Sequence, residues 1–378
     1  MSDRFTVERV TSKQTDFVLI ALLLLLTGLG IVVVFTSSYF YGERLTNDPY
    51  HFLKKHALHV AIGTVLAYAL ARMPLAILRK CVGPLLASSL FLLALTFVPG
   101  VGSRFMGARR WIIVFGQSFQ PSELVKFALI VYLAHILSKK HDRIDDLLNT
   151  IVPPLLVSAI FIALVYLQND FSTSVFLLLV CLAMFFFAGV RIIYFIFLAS
   201  AAVPLSVVLL LTKEHRVQRI ISFLNPQVDP VGAGYQIIAS RGALVRGGLW
   251  GTGIGYGTKK LGGLPEAHSD FVFAVLSEEI GFIGVLFIVA LFATFAVRGY
   301  SISIGNGDRF GAFLAFGITT SILMQALFNI AVVSGLVPAT GIPLPFFSTG
   351  GSSALVTLAM CGVLINLSQY SQRGTLDE

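Results

Sequence analysis

Lys259, Lys260, Glu266, His268 and Asp270 fall within one short stretch of a 378-residue chain that is 56% hydrophobic and only 12% charged. A carboxylate and an imidazole held together can move a proton. Lysines beside a glycine-rich run (251–257) can hold an anion against open backbone. That run has GxGxG spacing, but it follows no strand and lacks a GK[ST] sequence, which excludes a dinucleotide fold or a P-loop. Asp270 sits where a loop meets an apolar run, so a carboxylate that caps a helix is the competing explanation.

Other charges stand inside apolar segments. Gln120-Pro121-Ser122-Glu123-Leu124-Val125-Lys126 opens one of them. Pro121 suits a first helical turn, and Glu123 and Lys126, three apart, share a helix face within ion-pair reach. Ionisable groups at such depth are costly and face protein or a wet cavity. A packing ion pair and a cavity wall are both open readings. Asp170, after Gln168-Asn169, either caps a helix or serves a site. One of Glu278 and Glu279 is expected to be a buried hydrogen-bond partner, and Gln325 and Asn329, four apart, to join helices. His51, His56 and His59 lack acidic or cysteine partners and read as a polar edge, so no metal site is expected.

The elements that position these residues are membrane helices. Mean hydropathy is +0.86, and apolar runs of about 20 residues recur along the chain. In hydrocarbon such runs must satisfy their own backbone, so they are helices. Ten are expected, near 17–38, 56–72, 82–98, 120–138, 148–166, 172–188, 191–211, 270–297, 310–333 and 350–368. The first follows Arg4, Arg9 and Lys13 with no cleavage signal and reads as a retained anchor. The expected organisation is one all-α polytopic domain over 1–378, with tails 1–16 and 369–378 and a long loop, 212–269. Cys81, Cys181 and Cys361 have no metal-ligand spacing, and three make no disulfide framework. The net charge of +8 points to membrane lipids or a phosphorylated substrate. No soluble basic face suggests nucleic acid.

An even number of spans puts both termini on one side. Lysines and arginines divide about evenly between the sides until the long loop is discounted, as the positive-inside rule requires. Without Lys213, Arg216, Arg219, Arg241, Arg246, Lys259 and Lys260 the balance is about 13 to about 6 in favour of cytoplasmic termini. Within that loop, 215–224 puts Val217, Ile220, Ile221 and Leu224 on one face, the pattern of an interfacial helix. The stretch 235–250 is expected to repeat it, with Arg241 and Arg246 facing water or headgroups.

Five strings then carry a resemblance: GARRWI (107–112), QPSELVK (120–126), NPQVDPVGAGYQ (225–236), GLPEAHSDFVFAVLSEEIG (263–281) and PATGIPLPFFSTGGSS (338–353). In this order they resemble the SEDS family (shape, elongation, division and sporulation proteins), and the run 251–271 is closer to its division branch than to its elongation branch. Ser269 stands where Thr is usual, and Asn169 and Phe171 flank an Asp more often set between Pro and Leu. The resemblance implies a polytopic peptidoglycan glycosyltransferase of the cytoplasmic membrane. It would polymerise lipid II at the division septum beside a class B penicillin-binding protein and other division proteins. The family's essential loop acid falls on Asp270, its buried acid–base pair on Glu123 and Lys126, and its acid after the fifth span on Asp170.

On that reading Asp270 is the general base, a role that contributes about 10²–10⁴-fold. The departing diphosphate needs positive charge. Arg109, Arg110, Arg241, Arg246, Lys259 and Lys260 are the candidate contacts, with His268 beside them. No cofactor is required; a divalent cation such as Mg2+ is the alternative source of charge. A lipid II flippase and a scaffold for a partner enzyme are the rival classes.

Overall fold

Each of the ten expected segments is helical in the computed structural model, which describes residues 15–105, 108–114, 116–229, 232–261 and 263–370. In chain order the helices are α1 (Phe17–Thr46), α2 (His51–Arg72), the short α3 (Leu75–Lys80), α4 (Val82–Leu95), α5 (Pro121–Lys140), α6 (Val152–Leu167), α7 (Phe171–Phe187) and α8 (Ile192–Leu211). After them come α9 (Glu214–Leu224), α10 (Ala233–Gly247), α11 (Val272–Gly305), α12 (Arg309–Val333) and α13 (Gly351–Ser368). Seven helical segments among the described residues are long and apolar enough to cross a membrane, while α4 and α7 are shorter apolar helices. Most of both expected tails lies outside the described residues.

Helices α5, α12 and α13 are the most enclosed and form the centre of the bundle. Their buried side chains include Leu129, Ile130, Leu133, Phe310, Ile318 and Met360. Helix α8 is the opposite case: none of its described residues is buried. At the end where α1 begins, ion pairs tie distant segments together. Asp16 meets Arg298, Arg79 meets Asp308, Asp142 meets Arg309, and Asp145 meets Arg191.

Two features depart from the sequence reading. The link between α4 and α5 is a three-stranded antiparallel sheet, β1 (Gly102–Phe105), β2 (Ala108–Val114) and β3 (Gln117–Phe119), so the chain is not purely helical. Ile112, Ile113 and Val114 favour a pleated strand, and a loop outside the hydrocarbon can pair its backbone between strands instead of coiling. The stretch 235–250 is only in part the expected surface helix: Arg241 and Arg246 are exposed as expected, but the opposite side is packed into the protein. Helix α10 buries Ile237, Ala239, Ser240 and Ala243, and Gly247 backs onto the α11 backbone, where a Cβ would come 2.3 Å from the Ser277 carbonyl.

Helix α11 is broken at Gly281, whose φ of 66° and ψ of −173° are not helical. The segment before the break is buried, from Val272 to Glu279. The segment after it exposes Phe282, Ile283, Leu286 and Phe287, as a lipid-facing helix does. A break leaves backbone groups unpaired, and here the glycine-rich loop supplies the partners. Thr252 and Gly253 N–H donate to the carbonyls of Glu278 and Glu279, at 2.9 and 3.0 Å. Phe282 and Ile283 N–H donate to the carbonyls of Gly248 and Leu249, at 2.9 and 3.2 Å. The approach demands glycine on both sides: a Cβ at Gly281 would come 2.2 Å from the Gly251 nitrogen, and one at Gly251 would come 2.2 Å from the Glu279 carbonyl.

Candidate active site

Asp270 sits in a tight turn in which Ser269 and Phe271 N–H both donate to the Glu266 carbonyl, at 3.1 and 3.2 Å. The serine- and threonine-rich segment before α13 grips this turn. Thr349 donates to the His268 carbonyl through its N–H and its hydroxyl, and Ser348 Oγ donates to the Ser269 carbonyl. From α12, Asn329 Nδ2 donates to the carbonyls of Asp270 and Ile342, at 2.8 and 2.9 Å. Asn329, expected to join helices, instead ties α12 to the Asp270 turn and to the segment at Ile342. The backbone is fixed on several sides, while the carboxylate has no hydrogen bond or ion pair among the described residues. Helix α11 has no side-chain cap, so the helix-cap explanation of Asp270 falls.

Beside this turn opens a cavity of about 730 Å³, walled in part by Arg110, Asp170, Lys213, Arg216, Arg219 and Thr340. Asp270 is not itself a wall residue; it lies against Gly341, where a Cβ would come 3.3 Å from Oδ2, between the wall residues Thr340 and Ile342. Withdrawal from water, reinforced by Glu266, pushes the half-buried Asp270 carboxyl up to about 6, against the pull of Arg219 and Arg110. That value leaves it ionised at neutral pH and basic enough to take a proton.

Asp170 is a helix cap, as one of its sequence readings has it, and it also lines the cavity. It caps α7 by accepting from Thr173 N–H at 3.2 Å, and it meets Arg110 at 3.4 Å and Gln120 Nε2 at 3.3 Å in the cavity wall. Arg216 is buried, donates to Tyr166 Oη and the Leu209 carbonyl, and lies over the Tyr166 and Phe171 rings. Burial and repulsion from Arg110 pull Arg219 below the usual arginine range, while Asp270 and Asp170 oppose that shift.

Sequence reasoning counted Lys213, Arg216 and Arg219 for orientation and missed them as wall residues. Their spacing of three, which puts them on one face of a helix, was the signal available. Ile220 also lines the cavity, so the expected apolar face of α9 is not given wholly to lipid. Arg109 lies on β2 with its side chain outside the described residues.

The remaining candidates are placed elsewhere. Glu123 and Lys126 form a buried pair at 2.7 Å, and Lys126 also donates to Gln325 Oε1 at 2.7 Å. Gln325 in turn donates to the Pro343 carbonyl and Ser353 Oγ, so the pair braces α5 against α12 and the segment beyond it. Lys260 is buried against Glu279 at 2.6 Å. Glu278, fully buried, accepts from Thr258 and Lys259 N–H and lies 3.5 Å from Arg246. Both glutamates, not one, are thus buried acceptors, and they hold the glycine-rich loop. Arg241 donates to the Gly335 carbonyl at 3.1 Å. His268 stacks on Tyr41 at 4.4 Å and lines a second cavity of about 280 Å³, which shares no wall residue with the first.

A loop system that grips a buried carboxylate raised to about 6 near a cationic cavity is the candidate site of this helical bundle. Residues 16–373 match the FtsW/RodA/SpoVE family model described as "Cell cycle protein", and the chain belongs to that family. Among its relatives, a probable peptidoglycan glycosyltransferase FtsW from Geobacter sp. (strain M18) is 40% identical, over 93% of this chain and 96% of that one. The protein of the same name from Borreliella burgdorferi is 41% identical over 96% and 98%. Stage V sporulation protein E of Bacillus subtilis is 40% identical over 96% of this chain and all (100%) of that one. A chain from the study "Structural coordination of polymerization and crosslinking by a peptidoglycan synthase complex" superposes with a TM-score of 0.76 at 28% identity, covering 95% of this chain and 99% of that one. The rod-shape-determining protein RodA of Thermus thermophilus gives 0.67 at 25% identity, over 95% and 98%.

Proposed function

We propose that this chain is a peptidoglycan glycosyltransferase that polymerises lipid II on the outer face of the cytoplasmic membrane, with both termini cytoplasmic, during septal wall synthesis. One observation carries the reading: Asp270 stands uncapped and elevated to about 6 beside a cavity walled by Arg110, Lys213, Arg216 and Arg219. In the reaction, the 4-hydroxyl oxygen of the acceptor N-acetylglucosamine bonds to the anomeric carbon of the donor. The anomeric C–O bond to diphosphate breaks, and the hydroxyl proton passes to Asp270. A single displacement inverts the donor's α linkage to β and needs only one base. The four cations meet charge growing on the diphosphate, the largest electrostatic demand of the step. Arg110 keeps the role the sequence reading gave it, and Lys213, Arg216 and Arg219 join it in place of Arg241, Arg246, Lys259 and Lys260, which do not line this cavity. Mg2+ bound to the diphosphate would add to that charge.

A class B penicillin-binding protein is the expected partner, in keeping with the structural relative from a peptidoglycan synthase complex. The Glu123–Lys126 pair, closed by Gln325, favours packing over the ion path a flippase would want. The test is labelled lipid II incubated with the purified protein and its partner, with moenomycin present to silence unrelated polymerases. Asp270→Asn should cut polymer yield by about 10²–10⁴-fold with an unchanged unfolding temperature. Wild-type yield in that variant would remove Asp270 from the mechanism.

A further inference from the structure

The buried pair of Glu123 and Lys126 is the far end of a chain of hydrogen bonds that leads to Asp270. Lys126 Nζ donates to Gln325 Oε1 at 2.7 Å, and Gln325 Nε2 donates to the Pro343 carbonyl and to Ser353 Oγ, at 3.0 and 3.1 Å. One turn further along α12, Asn329 Nδ2 donates to the Ile342 carbonyl at 2.9 Å and to the Asp270 carbonyl at 2.8 Å. Residues four apart share a helix face, so the two amides grip two successive carbonyls of the segment 340–344. Each amide side chain belongs to a residue only 1% exposed, where a severed hydrogen bond leaves its partner unsatisfied.

The gripped segment touches both the cationic cavity and Asp270. Thr340 and Ile342 line the cavity, and Gly341 between them lies against the carboxylate. Gly341 takes φ 73°, a left-handed backbone that glycine adopts at no steric cost. Further along, Ser348 Oγ accepts from Leu344 N–H at 2.8 Å, and Gly30 of α1 leaves no room for a Cβ against the Phe346 carbonyl. The charged groups facing the Asp270 carboxylate are Glu266 on its own turn, Arg219 on α9, Arg110 on β2 and Asp170 before α7. The 340–344 segment and the facing turn of α12 bring none, so they act on Asp270 through packing and not through charge. Burial is the largest of the influences that raise this carboxyl, and Gly341 is part of what buries it.

We propose that Gln325 and Asn329 are positioning residues: by holding 341–343 they place the Asp270 carboxylate for proton transfer and keep water from it. The proposal rests on the glycosyltransferase reading, in which Asp270 is the base. It also gives the Glu123–Lys126 pair a use in the reaction. An ammonium can only donate, so Lys126 holds Gln325 Oε1 and turns Nε2 toward Pro343.

The test uses the full chain with its partner and lipid II, and compares Asn329→Leu with Gln325→Met, which keep side-chain bulk and lose the donors. Each should lower kcat by about 10- to 100-fold, with KM changed by less than about twofold, because a misplaced base leaves substrate binding intact. Water reaching the carboxyl removes the main influence that raises it, so the half-activity pH should fall in both variants, more in Asn329→Leu. Carbon-13 NMR of aspartate-labelled protein, with Asp270→Asn to mark the resonance, should show the same downward move without turnover. Unfolding temperatures report which variants fold. If Asn329→Leu does not, Gln325→Met, which leaves every hydrogen bond of the Asp270 turn in place, decides alone. A carboxyl titration unmoved in the folded variants, or a kcat loss with an unchanged pH profile, would overturn the positioning role. Normal polymer yield from Asp270→Asn would remove the base instead, and the carboxyl titration would still decide what the two amides do.

Discussion

At the scale of single residues, Asp270 is set by neighbours that pull in opposite directions. Burial and Glu266 raise its carboxyl to about 6, and Arg219 and Arg110 lower it. A base works only when ionised, so polymer synthesis should fall as pH drops through about 6 and level off above it. Removing a lowering neighbour, Arg219→Gln, should move the half-activity point to higher pH. Removing a raising neighbour, Glu266→Gln, should move it lower. The opposite signs are checked by initial rates across pH 5–8 (about the span in which such a group titrates); shifts in one direction for both variants would contradict the assignment. Asp270 was visible in the sequence only as one of two readings, cap or base. What removes the cap reading, a helix that starts without a side-chain cap, depends on backbone geometry that residue types alone do not state.

Elements show where sequence reading succeeds and where it stops. The helices were legible because hydrocarbon leaves a 20-residue apolar run one way to pair its backbone. The β2 strand was not, because ARRWIIV outside the bilayer has free choice of partner. The loop clamp on α11 was least legible of all, since it consists of main-chain bonds between positions some 30 residues apart. It predicts a sharp contrast among glycines with positive φ. Gly281→Ala and Gly251→Ala meet backbone at 2.2 Å and should each destabilise by about 1–3 kcal/mol or more. Gly255→Ala, with nothing within 4 Å, should cost less, as unfolding temperatures in detergent will record. Lys126→Met should be worse, about 3–5 kcal/mol, because it strands a buried Glu123; adding Glu123→Leu should recover much of that loss.

For the whole molecule, the charge bookkeeping that puts the 212–269 loop outside is an expectation about orientation and about a use for the loop's cations. Assembly narrows the candidates for that use: Lys260 is paired with Glu279, whereas Lys213, at the N-cap of α9, and Arg216 and Arg219, on α9, line the cavity. With Cys81, Cys181 and Cys361 replaced by serine, a cysteine at position 146 should react with a membrane-impermeant thiol reagent only in inverted vesicles, and one at 256 only in intact cells. The reverse pattern would turn the topology over. The clamp at Gly281 carries a further consequence, one of timing. Residues 248–253 leave the ribosome before 272–283, yet neither stretch can pair its backbone until both are present on the same side of the bilayer. The lipid-facing half of α11 can insert by itself, whereas the buried half must wait for the loop. The Asp270 turn, joined to that buried half, therefore takes shape only late in biogenesis, which keeps an unfinished chain inactive.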